Sequence, residues 1–326
     1  MDAAISTLLS PVILFFILGG LAGFARSDLA IPESIAKGMS LYLMAAIGLK
    51  GGVQVAEAGF SLGIVAALAA GLALGFILPL IAYPALRWFG RLDGVNAGAV
   101  AAHYGSVSVV TFVTGVEVLT VGDLAPAGYM VAVLALMETP AILVGLFLAN
   151  RSGAAIGNGE GKGGALWREV LLNGSVVLLV GSFLIGIIAG KDGFTPIAPM
   201  FETAFRGVLC LFLLDMGLVA ARRLTQSRAL TVRLSVLAIA LPILNGTIGA
   251  LVGILIGLDV GSASALAILA ASASYIAVPA AMRMALPRAD AGLYLALSLG
   301  ITFPFNITVG IPLYTALASW FAGVIA

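Results

Sequence analysis

Ten apolar stretches, each about long enough to cross a lipid bilayer, leave this chain few ways to fold. They cover roughly residues 5–25, 33–54, 60–86, 94–116, 124–149, 167–190, 200–221, 230–257, 262–284 and 290–324. About 20 apolar residues span the hydrocarbon core as a helix. Strand-type alternation is absent, so a membrane β-barrel is excluded. Composition agrees: 61% of the 326 residues are hydrophobic, 10% are charged, and mean hydropathy is +1.16, where a soluble domain needs a far more charged surface. The expected fold is all-α and polytopic, with the lipid bilayer as its surroundings. A net charge of +1 and the lack of a basic patch with interleaved aromatics give no sign of nucleic-acid binding. Cys210 is the one cysteine, so no internal disulfide forms. Asp2 is the sole charge before the first apolar run, so no cleavable signal is expected there.

Ten crossings sort the loops into two sides. Arg26, Lys37, Arg87, Arg91, Arg151, Lys162, Arg168, Arg222, Arg223, Arg228, Arg233, Arg283 and Arg288 fall on one side, 13 of the 16 basic residues. Lys50, Lys191 and Arg206 fall toward the other. Cytoplasmic loops are the basic ones, so both termini are expected outside the cytoplasm, in a plasma (inner) membrane. The longest polar break, NRSGAAIGNGEGKGG at 150–164, is Gly-rich and lies near mid-chain. It reads as a flexible linker, 151–166, between halves 1–150 and 167–326.

The fourth stretch is apolar yet ill suited to an unbroken helix. Within GAVAAHYGSVSVVTFVTG (98–115), His103-Tyr104-Gly105-Ser106-Val107-Ser108 brings Gly and two hydroxyls to its middle. Gly weakens a helix and Ser competes for backbone hydrogen bonds. Irregular backbone at that depth survives only against protein or a watery cavity. Close helix packing through Gly and Ser is the alternative. A second copy favours the break. The same stretch aligns with Ala267–Val278 so that Ser106 meets Ser274. Gly38–Leu49 aligns without gaps with Gly207–Leu218, and Glu138-Thr139-Pro140 meets Thr302-Phe303-Pro304 within a residue. Five crossings per half is an odd number, so the copies face opposite ways. Inverted repeats with interrupted helices at matching positions mark secondary transporters.

Spans four and nine are therefore expected as half-helices meeting near the midplane. One should restart around Ser106, an N-cap type, and the other near Pro279, whose missing N–H costs nothing in a first turn. Free N–H groups and positive dipole ends would make an anion site without a cationic side chain. The candidate substrate-binding residues are Tyr104, Gly105, Ser106, Val107 and Ser108 with Ser272, Ala273, Ser274 and Tyr275. Any one serine can instead bond back to its own helix. Two acids sit in apolar sequence, Glu138 and Asp215, where charge is costly and usually functional or paired. Glu138, Thr302 and Asn306, with Thr139 and Thr308 nearby, offer the oxygens a hard cation such as Na⁺ wants. Asp215, toward Arg222 and Arg223, fits a structural ion pair as well. One His and one Cys serve soft metals poorly. His103 is either structural or a pH sensor. A cotransported cation would offset the cost of about 2.3 kcal/mol per 100 mV for moving an anion into a negative interior. The lack of an arginine clamp argues against di- and tricarboxylates.

IPESIAKGMSLYLMAAIGLKGG (31–52), AHYGSVSVVTF (102–112), METPAILVGLFLAN (137–150), FRGVLCLFLLDMGL (205–218), ASASYIAVPAAMRMALP (271–287) and LGITFPFNITVGIPLY (299–314) resemble the sodium-dependent bicarbonate permease family. The resemblance implies ten spans in inverted five-helix repeats, a gate and a core subdomain, a homotrimer, and Na⁺-driven uptake of bicarbonate. It also implies that Gly105, Ser106, Ser272 and Ser274 line the site. The cyanobacterial form has Asp in place of Tyr275 and of Glu138, and a longer linker. Control by a PII-like regulatory protein is therefore not carried over. Two other readings stay open: symport of another small monovalent anion, such as a short monocarboxylate, and an anion sensor. An intramembrane enzyme is not expected, because HExxH and any nucleophile–base pair are missing.

Overall fold

The computed structural model of the chain describes residues 9–59, 62–152, 174–226 and 230–325. Most of the expected linker, the starts of the first and sixth stretches, and Lys162, Arg168 and Arg228 lie outside the described residues. All regular elements among the described residues are helical. They are α1 (Pro11–Phe24), α2 (Glu33–Ala58), α3 (Leu62–Trp88), α4 (Gly94–Gly105), α5 (Val109–Val121), α6 (Met130–Met137), α7 (Pro140–Arg151), α8 (Gly174–Phe194), α9 (Phe205–Gln226), α10 (Val232–Leu255), α11 (Val260–Ala271), α12 (Ala277–Ala285) and α13 (Ala291–Ile325). Eight segments are long and apolar enough to cross a membrane, counting α4–α5 and α6–α7 as one each, with α1 and α11 as shorter apolar helices. The protein is an all-α polytopic membrane protein.

Two bodies of helices pack together. In the first, α1 lies along α9 and α2 along α8. Both seams are made by glycines. A methyl on Gly19 would strike the Leu214 carbonyl, and one on Gly217 the Phe16 carbonyl. Along the other seam, Gly52 meets the Phe183 carbonyl and Gly186 the Leu49 carbonyl. Lipid tails are as apolar as Leu, so close backbone contact rather than water exclusion holds such pairs. In the second body α3 packs on α4, α6 and α7, while α10 packs on α11 and α13.

The broken helices are the central elements of that second body. Both first halves are 12 residues long, and both are capped by an aspartate. Asp93 Oδ1 accepts from the N–H groups of Val95 and Asn96, at 2.9 and 3.0 Å. Asp259 Oδ1 accepts from Ser262 at 2.9 Å. At about 1.5 Å per residue, 12 residues rise roughly 18 Å, enough to start at one face of a 30 Å core and stop near its middle. The two start at different ends of the molecule. Asn96, in the first turn of α4, accepts from the Asp290 N–H that precedes α13, at 2.8 Å. Ser262, in the first turn of α11, accepts from Ala127, in the loop that follows α5, at 3.0 Å.

Prolines shape the surroundings. Pro79, inside α3, rests against Gly105 so closely that a β-carbon there would overlap its ring. Pro304 lies in a short α-turn, Phe303–Phe305, flanked by wide π-type turns at Ala296–Thr302 and Asn306–Gly310. A proline removes one backbone donor and crowds the preceding turn, and π-turns absorb such a defect. The loosened tenth span expected from ITFPFNITVG is present.

Candidate functional site

The two interruptions cross and hold each other. The Ser274 N–H donates to the His103 carbonyl at the end of α4, at 2.9 Å. In return the Ser108 N–H donates to Ser272 Oγ at 2.9 Å. Ser272 Oγ itself donates to the Leu269 carbonyl at 2.8 Å. Helix C-termini leave carbonyls without partners, and two asparagines supply them here. Asn245 of α10 donates to the Tyr104 carbonyl at 3.2 Å, and Asn306 of α13 donates to the Ala271 carbonyl at 2.9 Å. Carbonyls at the ends of α4 and α11 are thus bonded within the protein.

The restarting halves behave differently. Ser108, not Ser106, caps α5, and its Oγ accepts from the Thr111 N–H at 3.2 Å. The Ser106 hydroxyl instead donates to the Glu138 carbonyl at 3.0 Å, so the first helix restarts two residues later than the sequence suggests. α12 begins at Ala277, which puts Pro279 at its third position, still in the first turn, where no intrahelical bond needs its N–H. Ser274 Oγ accepts from Val278 at 3.5 Å, a long contact. The first turns of α5 and α12 therefore keep N–H groups without intrahelical acceptors. Val109, which opens α5, and Ile276, which precedes α12, line one small cavity together with Val107, Ser108, Glu138, Ser274 and Tyr275. It has room for about one water, about 10 Å³.

Two polar groups at this cavity lack a close protein partner among the described residues. Glu138 is 4% exposed, at the joint between α6 and α7, and among the described residues its carboxylate meets neither an ion-pair partner nor a hydrogen-bond donor. The Tyr275 hydroxyl is buried and, among the described residues, has no hydrogen bond within 3.5 Å, though the Ser108 hydroxyl lies near it; its ring is edge-on to Phe303 at 5.3 Å. A buried charge without a partner is expensive, so the arrangement suits a cation or proton beside Glu138 and an anion at the helix starts. No cluster of three or more His, Cys, Asp or Glu side chains occurs among the described residues.

Of the residues expected to bind substrate, Val107, Ser108, Ser274 and Tyr275 line the cavity. Tyr104, Gly105, Ser106, Ser272 and Ala273 stand behind it. The Tyr104 hydroxyl bonds Thr302 Oγ1 at 2.7 Å, and Thr302 Oγ1 donates to the Ala238 carbonyl at 2.6 Å. Of the sodium candidates, Glu138 lines the cavity and Thr302 and Asn306 do not. Asn306 Oδ1 accepts from the Tyr314 hydroxyl at 2.8 Å, and Thr308 bonds back to the Pro304 carbonyl at 2.7 Å. Val109, Ile276, Asn245 and Tyr314 are additions from the structure. An asparagine inside the apolar run LPILNGTIGA was the visible signal for Asn245. His103 is fully buried, with Nδ1 2.7 Å from the Ala99 carbonyl and its ring stacked on Tyr294 at 4.3 Å. Asp215 makes no ion pair within 4.0 Å among the described residues, so the expected bridge to Arg222 or Arg223 is not formed. Arg222 donates instead to the Leu29 carbonyl at 3.0 Å.

A larger cavity of about 460 Å³ lies between α2, α5, α9 and the loop 125–128. Ion pairs border it. Lys50 lies 3.6 Å from Glu202, and Arg206 on α9 pairs with Glu117 on α5. The second pair connects the two bodies of helices. Phe112, one turn along α5 from Val109, lines this vestibule.

No curated protein matches the chain. A family model does, over residues 11–319. That match takes in every element from α1 to most of α13, with both crossing breaks. The chain belongs to the Na⁺-dependent bicarbonate transporter superfamily.

Proposed function

We propose that this protein is a symporter that carries bicarbonate into the cytoplasm together with Na⁺ by alternating access. The observation that carries the reading is the mutual bonding of the two breaks beside a buried, unpartnered carboxylate. Two helix starts facing one cavity stabilise a monovalent anion without an arginine. Glu138 takes the sodium ion, whose charge offsets that of the anion as both cross the membrane field. Thr302 and Asn306 hold the breaks from behind, and they reach sodium only by giving up their bonds to Ala238, Tyr104, Ala271 and Tyr314. Transport rather than catalysis follows from the family and the membrane fold.

The halves 1–150 and 167–326 are read as inverted repeats joined by the linker at 151–166. Their support is pairwise. α1 with α9 matches α8 with α2, and α3 with α4 matches α10 with α11. Close glycine contacts, Gly19 with Gly217 and Gly186 with Gly52, also occur in both seams. In this reading α1, α2, α8 and α9 form the gate, and the body with the broken helices is the moving core. The arginine-rich loops put both termini outside the plasma membrane and make the vestibule with Lys50 and Arg206 outward-facing. A homotrimer is the assembly the family resemblance suggests.

Uptake of labelled bicarbonate into proteoliposomes, with an inward sodium gradient, an inward potassium gradient or none, is the test. Sodium-dependent accumulation is the expected result. Bicarbonate flux indifferent to sodium refutes the symport. Sodium-driven flux of a short monocarboxylate but not of bicarbonate reassigns the substrate. Failure of substrate counterflow leaves a sensor.

A further inference from the structure

We infer that Tyr275 is the specificity-determining residue of the anion cavity: its ring sets the largest anion admitted and its hydroxyl supplies one hydrogen bond to it. This deepens the proposed transport site and rests on that reading.

The argument begins with volume. Around the cavity the other side chains are those of Val107, Ser108, Val109, Glu138, Ser274 and Ile276, all smaller than a tyrosine. Several of these positions are fixed by bonds made elsewhere. The Ser274 N–H is tied to His103, the Ser108 N–H to Ser272, and the Glu138 carbonyl to Ser106. The backbone frame is therefore set, and the space left inside it depends on the phenol. With the ring lodged against Phe303, the cavity holds about one water, about 10 Å³. Bicarbonate has four heavy atoms, so its entry requires the ring to yield slightly. Each further methyl or methylene on a carboxylate would require more.

The second strand is polar. The Tyr275 hydroxyl is buried and has no hydrogen-bond partner within 3.5 Å among the described residues, although the Ser108 hydroxyl lies near it. Leaving such a group unsatisfied is costly, and an anion oxygen in the cavity removes that cost. A phenol donates one hydrogen bond without adding charge. It thus adds a directional contact while leaving the helix starts to carry the electrostatics.

The experiment is a binding panel on the purified full-length protein in fixed NaCl, read by thermal shift and calorimetry with bicarbonate, formate, acetate and lactate. The wild type should prefer bicarbonate and formate over acetate and lactate. Tyr275→Phe keeps the ring against Phe303 and should weaken the preferred anion about fivefold to tenfold without reordering the panel, the effect of one lost hydrogen bond. Tyr275→Ala should shift the ratio of acetate to bicarbonate affinity at least about tenfold toward acetate, as expected when roughly 1.4 kcal/mol of exclusion is lifted. Unchanged affinities in Tyr275→Phe together with an unchanged order in Tyr275→Ala overturn the inference. A wild type that prefers lactate removes bicarbonate as substrate and overturns the size limit too. A wild type that prefers acetate removes bicarbonate alone, and a further gain for lactate in Tyr275→Ala then supports the ring as the limit. If Tyr275→Ala fails to fold, Tyr275→Leu replaces it with the same two outcomes. A wild type that binds none of the four overturns both readings.

Discussion

Ser272→Ala isolates the bond that ties one break to the other. Ser272 is 1% exposed, and its Oγ accepts from the Ser108 N–H at 2.9 Å while donating to the Leu269 carbonyl at 2.8 Å. The two losses are unequal. The Leu269 carbonyl also accepts from the Ser272 backbone N–H at 3.1 Å, which alanine keeps. The Ser108 N–H has no second acceptor among the described residues, and burying an orphaned donor costs about 1–3 kcal/mol. Polar contacts between membrane helices measure lower, about 0.6 kcal/mol on average and at most about 1.7. A destabilisation of about 1–1.7 kcal/mol is expected, the overlap of those ranges. The control is Ser264→Ala on the same helix. Ser264 is also buried, but its hydroxyl only bonds back to the Val260 carbonyl at 2.6 Å, so its loss should change stability by less than about 0.5 kcal/mol. Reversible unfolding in mixed micelles gives both values, and anion affinity is measured on the same preparations. Because Ser108 caps α5, Ser272→Ala should also lower anion affinity, whereas Ser264→Ala should not. Equal losses in the two variants would refute the crossing bond as the element that holds the site.

Further outcomes follow from other positions. Glu138→Gln keeps size and hydrogen-bonding reach but removes the charge, so the sodium concentration for half-maximal uptake should rise at least about tenfold; an unchanged sodium dependence would remove Glu138 from that role. Gly105→Ala would drive a methyl into the rigid Pro79 ring and to 3.0 Å from the Ala141 methyl, which should cost about 1–3 kcal/mol in unfolding measurements. Gly20→Ala, inside α1 with nothing within 4 Å, should not destabilise and should gain up to about 1 kcal/mol by the same measurement. The Arg206–Glu117 pair, with side chains 60% and 11% exposed, should show a coupling of about 0.5–1 kcal/mol in a double-mutant cycle that shrinks in added KCl. A coupling that is absent, or indifferent to salt, would mean the two bodies are not held by this contact.

Much of the fold was legible because a bilayer imposes length. Ten apolar stretches gave the helices, and Gly105, Ser106, Ser272 and Ser274 announced the breaks, since Gly and Ser are poor choices for the interior of an isolated apolar helix. Pro304 announced the wide turns in α13 for the same local reason. The details of the site were less legible. Ser106 and Ser108 are the same residue two positions apart, and only the path of the chain decides which one meets a free N–H. Thr302 and Asn306 carry the right oxygens for sodium, yet Tyr104, Ala238, Ala271 and Tyr314 claim them across separations of up to 198 residues. Asn245 bonds Tyr104 from 141 residues away, and no local pattern encodes that distance. The sequence is explicit about where a helix must fail and silent about which distant group repairs the failure.

The matched lengths of α4 and α11 have a consequence for the lipid. Two rods of 12 residues, each anchored by an aspartate at its outer tip, act as a fixed gauge. Their meeting point is set by residue count, whatever acyl chains surround it. In a thicker bilayer both aspartates would be drawn into hydrocarbon, and in a thinner one both tips would stand proud. The lipid must deform symmetrically around the protein, so turnover should peak at one acyl-chain length and fall on either side of it.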